Sequence, residues 1–542
     1  MKMNMKKVIL TASLVGGMIS LSETIKADAT QITTIGDSIS AGWVKSKTYC
    51  EPYGKIASNQ LGMTFKNVAR AGNSFVPKSN NNNYFSYLIN QNKETIKQAN
   101  VIFILEGTND YGYSSPFKKI KEKMIQDLKT IKSLNPKAKI IGILPLERWD
   151  KADKIHSDYY LNNQQQYDLM DIINLEKQVY QSLNIEYTTF NEMGYTLKRT
   201  DTVDSLHPSP ATHQKMGAVL AKKVSQLSKG SKASGYVVPM KDTTLWRNLD
   251  FSSKKGTAKK NTTYKVKWQY KHINGKKYLS LYNNKDEWQG YIQENQVKSV
   301  NIGGVFHRKE QKVTFFRDTN YYRSTKFNHV RGKIDGHQTL KVKGYYRHFN
   351  GTIYQSVYDN KDQWLGYVKS NDVRLSDSKG GSYVGNSRQY ITVKSTDYHL
   401  LSNLSTGATK RVLNNNSESF FSQAHYHHLN GRIYYSLYKM VNGQQVWQGY
   451  MNKNNLIFNK DDFGKFHYAK VNQKAIIKRD GYGIYKDKLF KKKVATSNQW
   501  KNKTYYVKGY YQRIMNERKY YSLYNSRNQW IGYINENACV LK

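Results

Sequence analysis

Four short stretches of the chain hold residues able to work on an acyl group. "GDS" at 36–38 puts a serine hydroxyl directly after an apolar run, and "DSLH" at 204–207 puts an aspartate three residues before a histidine. A serine hydroxyl is a poor nucleophile until a base takes its proton. His207 is the candidate base for Ser38, and Asp204 the carboxylate that orients the imidazole and stabilises its charged form. Between them lie "VARAGNS", with Gly72, and "LEGTND", with Asn109. The backbone N–H groups of Ser38 and Gly72 and the side-chain amide of Asn109 are candidate donors to a developing oxyanion. Losing one such donor typically costs about 100- to 1000-fold in rate. Asp37 and Asp110 sit beside these residues and either bond the neighbouring backbone or take a direct part. "GDS" or D-x-x-H alone says little; the four stretches in this order say more.

A parallel sheet would bring such stretches together. "QITTIG", "TFKNVA", "VIFILEG", "KIIGILPL" and "IEYTTF" read as strands. Between them "YGKIASNQLG" (53–62), "FSYLINQNKETIKQA" (85–99), "FKKIKEKMIQDLKTIKSL" (117–134) and "NNQQQYDLMDIINLEKQVYQSL" (162–183) read as helices. A last helix starts near Pro210, with Ser209 placed to cap it. Strand–helix alternation predicts a parallel sheet covered on both faces, with ligands bound beyond the carboxyl ends of its strands. Ser38, Gly72 and Asn109 each follow a strand, and Asp204 and His207 precede the last helix. The loops 74–87 and 146–165 are the candidates to shape the pocket.

On these motifs, residues 30–227 resemble the SGNH (GDSL) hydrolase family. The resemblance implies a three-layer α/β/α, flavodoxin-like fold. It implies Ser38 as nucleophile, Gly72 and Asn109 as oxyanion donors, and Asp204 and His207 as the acid–base pair. Ile39 stands where the family name has leucine. No G-x-S-x-G elbow is present in this region, and the reading calls for no cofactor and no metal.

The rest of the chain differs in composition. Residues 1–29 combine early lysines, a short apolar segment and Ala27-Asp28-Ala29, the pattern of a removable export signal; a membrane anchor is the alternative. No later stretch reaches the ~20 apolar residues of a bilayer span. Cys50 and Cys539, the only cysteines, make neither a disulfide framework nor a four-ligand zinc site. His425-Tyr426-His427-His428 could ligate a metal but has no carboxylate or thiolate in regular spacing, and reads as a surface strand. Net charge is +45, unevenly spread: residues 30–227 carry 25 Lys/Arg against 18 Asp/Glu, and residues 228–542 carry 56 against 20. Of the 44 tyrosines, 32 fall in the second segment. So basic a surface attracts polyanions.

That second segment repeats itself. "NGKKYLSLYNNKDEWQGYI", "NGTIYQSVYDNKDQWLGYV", "NGRIYYSLYKMVNGQQVWQGYM" and "NERKYYSLYNSRNQWIGYI" share a frame, with Trp288, Trp364, Trp447 and Trp530 as anchors. The expected organisation is a linker at 228–241 and modules at 242–298, 299–374, 375–457 and 458–542. Asn-Gly at 274–275, 350–351 and 430–431 predicts tight hairpin turns, and Asn516-Glu517 a longer or different one. The pattern resembles GW-type wall-binding repeats of Gram-positive surface proteins, small all-β barrels of the Src-homology type, although the Gly-Trp pair itself is missing. It implies retention on anionic wall polymers such as teichoic or lipoteichoic acid.

Together these features predict a secreted, wall-associated serine esterase acting on acyl esters, including O-acetyl groups of surface glycans. Three other readings use the same features: a non-catalytic adhesin on a degenerate hydrolase fold, a lysophospholipase-like lipid esterase, and a nucleic-acid binder. Export counts against the last, so no nucleic-acid partner is expected.

Overall fold

The computed structural model describes residues 30–46, 48–78, 82–376, 378–414 and 418–542. The export segment expected at 1–29 lies outside the described residues.

Five strands form the first sheet: β1 (Gln31–Gly36), β4 (Thr64–Asn67), β5 (Val101–Leu105), β6 (Lys139–Ile143) and β7 (Glu186–Thr188). Two more, β2 (Trp43–Lys45) and β3 (Thr48–Tyr49), make a small ribbon after the first turn. The sheet order is β4-β1-β5-β6-β7, with every pair parallel. β5 shows why the sheet is covered twice. Ile102 and Ile104 face one core, while Val101, Phe103 and Leu105 face the other, as period-two alternation requires. The first core is closed by α3 (Phe85–Gln91), α4 (Lys93–Gln98), α6 (Phe117–Leu134) and α7 (Leu169–Ser182). The second is closed by α2 (Tyr53–Leu61) and α8 (Pro210–Ser225). Two short helices, α1 (Ser38–Ala41) and α5 (Thr108–Gly112), open directly after β1 and β5. The chain leaves β1 toward β4 on one side and β5 on the other. The crevice at this change of direction is where such sheets bind ligands.

Two helices differ from expectation. The segment 85–99 is broken at Asn92, whose side chain bonds the Leu88 carbonyl at 2.8 Å instead of continuing the helix. The helix expected from 162 starts only at Leu169. Asp168 and Asp171 form a reciprocal capping box there, at 2.8 and 3.1 Å.

Among the described residues, the basic segment is made of strands, turns and a few single-turn 3-10 helices. Its first module contains β8 (Lys229–Pro239), β9 (Thr243–Trp246), β10 (Lys254–Ala258), β11 (Tyr264–Lys271), β12 (Lys277–Tyr282), β13 (Trp288–Gln293) and β14 (Val297–Val300). They form one sheet, ordered β10-β9-β13-β12-β11-β8-β14, around Val237, Leu245, Val266, Leu281 and Ile292. The same order recurs in the sheets beginning at Phe306, Val384 and Phe463; in the last, the opening strand is split into Phe463–Tyr468 and Lys474–Ile477. The expected linker at 228–241 is therefore corrected: most of it is β8, paired with β11 and β14. Only Val237–Pro239 of this strand are buried. Backbone pairing on both sides, rather than an apolar pattern, makes it a strand.

The hairpin turns at the three Asn-Gly pairs are set by more than the dipeptide. Gly275, Gly351 and Gly431 have φ of +78°, +85° and +80°, while the preceding asparagines stay at negative φ. In each, a histidine locks the turn. His272 Nε2–H donates to the Leu249 carbonyl at 2.9 Å, and its Nδ1 accepts the Asn274 N–H at 3.1 Å. Burial holds His272 below its ordinary pKa, which keeps this neutral tautomer in place. His348 and His428 repeat the arrangement, so the last histidine of the 425–428 cluster serves a turn. In the fourth module Arg513 bonds Arg518 across a longer loop, with Glu517 at φ +58°.

The first turn also meets the α/β unit. Asn274 Nδ2 donates to the Leu61 carbonyl at 2.9 Å, Gln60 Nε2 to the Asp250 carbonyl at 2.9 Å, and Ile273 packs on the second core. Cys50 and Cys539 are both free thiols. Among the described residues no helix is long and apolar enough to cross a membrane, and no cluster of His, Cys, Asp and Glu could hold a metal.

Candidate active site

The turn after β1 is built tightly. A side chain at Gly36 would place its Cβ 2.1 Å from the Leu105 carbonyl oxygen on the adjacent strand. Asp37 then caps α1 through its Oδ1, which accepts the Ile39 N–H at 2.9 Å. Ser38 is the first residue of that helix, and is largely buried.

Ser38 Oγ lies 2.9 Å from His207 Nε2, and His207 Nδ1 lies 2.7 Å from Asp204 Oδ2. A carboxylate only accepts, so Nδ1 carries the proton and Nε2 offers its lone pair to the serine hydroxyl. Asp204 is held in turn by its own backbone. Its Oδ1 accepts the N–H groups of His207 at 2.7 Å and Leu206 at 3.1 Å. Partial burial opposes ionisation of Asp204. The hydrogen bonds from His207 and the backbone outweigh it and hold the carboxyl below its ordinary range. The loop is closed by the Thr202–Pro208 bridge and by the Trp149 N–H bonding the Ser205 carbonyl at 2.8 Å. Ser205 takes φ +73° in the process, a left-handed conformation uncommon outside glycine. Trp43 of β2 covers the imidazole, with ring centroids 4.0 Å apart. Its only sequence signal is its place five residues after the serine.

Gly72 and Asn109 meet through Asn73. Asn109 Nδ2 donates to the Asn73 carbonyl at 2.8 Å, leaving its second N–H available. The Gly72 loop is tied to β1 by the Arg70 N–H on the Gly36 carbonyl at 2.9 Å. Gly72 needs φ +75°, and a Cβ there would lie 3.0 Å from Asn83 Nδ2. Among the described residues, neither the Ser38 N–H nor the Gly72 N–H has a hydrogen-bond partner.

Beneath this surface lies a set of buried acids. Asp110 accepts the N–H groups of Phe75 at 2.8 Å and Val76 at 3.1 Å, and so fixes the far side of the Gly72 loop. Asp37 and Asp110 thus both bond backbone. Glu106 is not among the candidates read from the sequence, although a charged residue directly after the apolar run "VIFIL" is a signal. Its Oε2 accepts from Asn73 Nδ2 at 2.6 Å, both side chains being fully buried. Behind it Glu176 approaches so closely that a Cβ at Gly107 would meet its Oε1 at 2.3 Å. Burial pushes Asp37 up to about 6 and Asp110 up to about 7. Burial, reinforced by neighbouring carboxyls, drives Glu106 and Glu176 well above the carboxylate range. In both, burial favours the protonated form. Arg148 is buried against Asp150, at 2.6 and 2.7 Å, and donates to the Thr108 carbonyl at 2.9 Å. It thereby ties the 146–165 loop to α5.

Residues 34–215 match the model of the GDSL-like Lipase/Acylhydrolase family, a span that takes in Ser38, Gly72, Asn109, Asp204 and His207. No curated protein matches the chain. Among solved structures, a carbohydrate acetylesterase from Sinorhizobium meliloti is 15% identical with a TM-score of 0.31, covering 36% of this chain and 99% of its own. An aryl esterase from M. smegmatis is 15% identical with a TM-score of 0.29, covering 37% of this chain and 100% of its own. A family two carbohydrate esterase from Clostridium thermocellum is 17% identical with a TM-score of 0.28, covering 36% of this chain and 64% of its own.

Proposed function

We propose that residues 30–227 form a serine ester hydrolase of the SGNH type, exported and held at the cell wall by the basic modules. The observation that carries the reading is the unbroken hydrogen-bond chain from Ser38 Oγ through the His207 ring to Asp204, at 2.9 and 2.7 Å. In this mechanism Ser38 Oγ attacks the acyl carbonyl while His207 Nε2 takes its proton. The carbonyl oxygen, now an anion, receives the N–H groups of Ser38 and Gly72 and the free amide hydrogen of Asn109. Collapse of the adduct expels the alcohol, protonated by His207. Water, deprotonated by the same nitrogen, then releases the acid and restores the serine. Asp204 keeps the proton on Nδ1 throughout and balances the imidazolium.

The substrate follows from placement rather than from the pocket. A tail carrying 56 Lys/Arg against 20 Asp/Glu favours anionic polymers, and for an exported protein these are wall teichoic or lipoteichoic acids. An enzyme held there meets O-acylated surface glycans, and O-acetyl esters are the proposed substrates. The test is a short-chain chromogenic ester and acetylated wall fractions offered to the whole protein and to Ser38→Ala, with fluorophosphonate labelling alongside. Turnover and labelling that vanish in the variant support the mechanism. Turnover that survives the substitution refutes it, and a folded wild-type protein that neither labels nor hydrolyses is an adhesin.

A further inference from the structure

The four modules share a feature that neither the hairpins nor the cores require. In the first, Trp288 is half-buried, its Nε1–H donating to Ser280 Oγ at 3.0 Å, and Tyr291 meets its ring edge-on at 5.3 Å. Over the outer face lies Lys255, with Nζ 5.3 Å from the ring centroid. Trp364, Trp447 and Trp530 make the same serine bond, at 3.1, 3.0 and 3.1 Å. Each again carries a cation: Arg331 at 5.3 Å, Lys410 at 4.1 Å and Lys486 at 4.7 Å.

Three details separate this from a by-product of the fold. First, the cation does not descend from one position. Lys255, Arg331 and Lys410 come from the outermost strand of their sheets, whereas Lys486 follows the next strand in, Gly483–Tyr485. Second, three of the four are anchored on carbonyls: Arg331 on Leu365 at 2.8 Å, Lys410 on Trp447 at 2.9 Å and Lys486 on Trp530 at 2.7 Å. Each keeps further N–H groups to donate. Third, all four are exposed, and among the described residues none pairs with a carboxylate. Other lysines of these modules do pair, such as Lys267 with Asp286 and Lys341 with Asp362.

We infer that each Trp–cation pair is a ligand site taking one anionic group of a repeating phosphodiester polymer, the cation binding phosphate oxygens and the indole rim packing on the polyol or sugar between them. This rests on the wall-polymer reading above and specifies where that polymer binds. Four weak sites on one chain gain through effective concentration, and three of the four cations are held on carbonyls before the ligand arrives.

The test uses the full chain and synthetic poly(glycerol phosphate), followed by tryptophan fluorescence and by sedimentation with purified walls. One variant combines Lys255→Gln, Arg331→Gln, Lys410→Gln and Lys486→Gln. A charge-matched control combines Lys285→Gln, Lys361→Gln, Lys460→Gln and Lys503→Gln, all exposed. The expected result is a loss of about 100-fold or more in the first variant, with no fluorescence change on adding polymer, and less than about tenfold in the control. Equal losses in both would mean diffuse charge attraction, overturning the sites while leaving wall retention intact. Wild-type protein that binds neither polymer nor walls overturns the retention reading itself. Heparin or polyadenylate bound as tightly, with the same dependence on the four cations, overturns the assignment to a wall-type phosphodiester.

Discussion

Replacing Asp204 by asparagine isolates one consequence of the loop geometry. The asparagine oxygen can keep the Leu206 and His207 N–H bonds that Asp204 Oδ1 makes at 3.1 and 2.7 Å. The loop therefore stays folded, and the melting temperature should move by no more than a degree or two. The other atom, however, becomes an NH₂ facing His207 Nδ1, where the carboxylate oxygen stood at 2.7 Å. Two donors cannot face each other, so Nδ1 must lose its proton and Nε2 must carry it. The imidazole then donates toward Ser38 across the present 2.9 Å contact and cannot accept the hydroxyl proton. Inverting the tautomer in a Ser-His-Asp arrangement typically lowers kcat by about 10⁴-fold, or about 5 kcal/mol in the barrier. Asp204→Ala separates the two roles: it loses both backbone anchors, each worth about 1 kcal/mol, and should lower the melting temperature as well as the rate. The assay is single-turnover acylation by a chromogenic acetate ester at pH 7–8, beside thermal unfolding. A rate within tenfold of wild type in a normally folded Asp204→Asn protein would refute the proposed proton path.

Three further predictions concern the support of the site. Burial, reinforced by neighbouring carboxyls, raises the Glu106 pKa well above its ordinary value in the folded chain, whereas in the unfolded chain it ionises at that ordinary value. Its contribution to stability is therefore complete below about pH 4.5 and declines as pH rises toward the elevated folded value. Glu106→Gln keeps the Asn73 bond without that penalty, so its melting temperature should gain on wild type from pH 5 to pH 8, with activity within about threefold; a constant or shrinking difference contradicts the raised pKa. Gly72→Ala forces a side chain into φ +75° and against Asn83, and should cut kcat by about tenfold or more with KM little changed; a wild-type kcat would remove the Gly72 N–H from the oxyanion site. Asn274→Ala removes the bond to the Leu61 carbonyl, leaving that buried acceptor unpaired at about 1–3 kcal/mol; calorimetry should show earlier melting of the α/β unit, and an unchanged trace would mean the contact adds nothing.

What the sequence made legible depended on how local each signal was. Ser38, Asn109, and the Asp204–His207 pair could be found because strand exits and D-x-x-H spacing are written in consecutive residues. Helix α6 was bounded correctly because Ile120, Met124, Leu128 and Ile131 repeat on one face. Glu106 and Asn73 were missed because their partnership crosses from one strand exit to another, 33 positions apart. Trp43 was missed for the same reason: its imidazole partner lies far along the chain. Strand β8 was hidden because its stability comes from backbone pairing on both edges, which leaves little trace in side-chain type. The Asn-Gly turns were legible in position, but not in their geometry, which a histidine two residues before the asparagine fixes.

The junction between the two parts of the chain leaves little slack. Helix α8 ends at Ser225 and β8 begins at Lys229, a gap that extended chain can span over only ~10–14 Å. The Asn274 turn clasps the end of α2 besides. A catalyst mounted this way has a short leash. On the wall attachment proposed above, it could not sweep a wide circle around its anchorage, so it would exhaust the esters beside one foothold and have to let go to find more. Turnover on a wall would then be paced by how fast the modules step along their polymer, and deacylation would advance in contiguous tracks instead of scattered points.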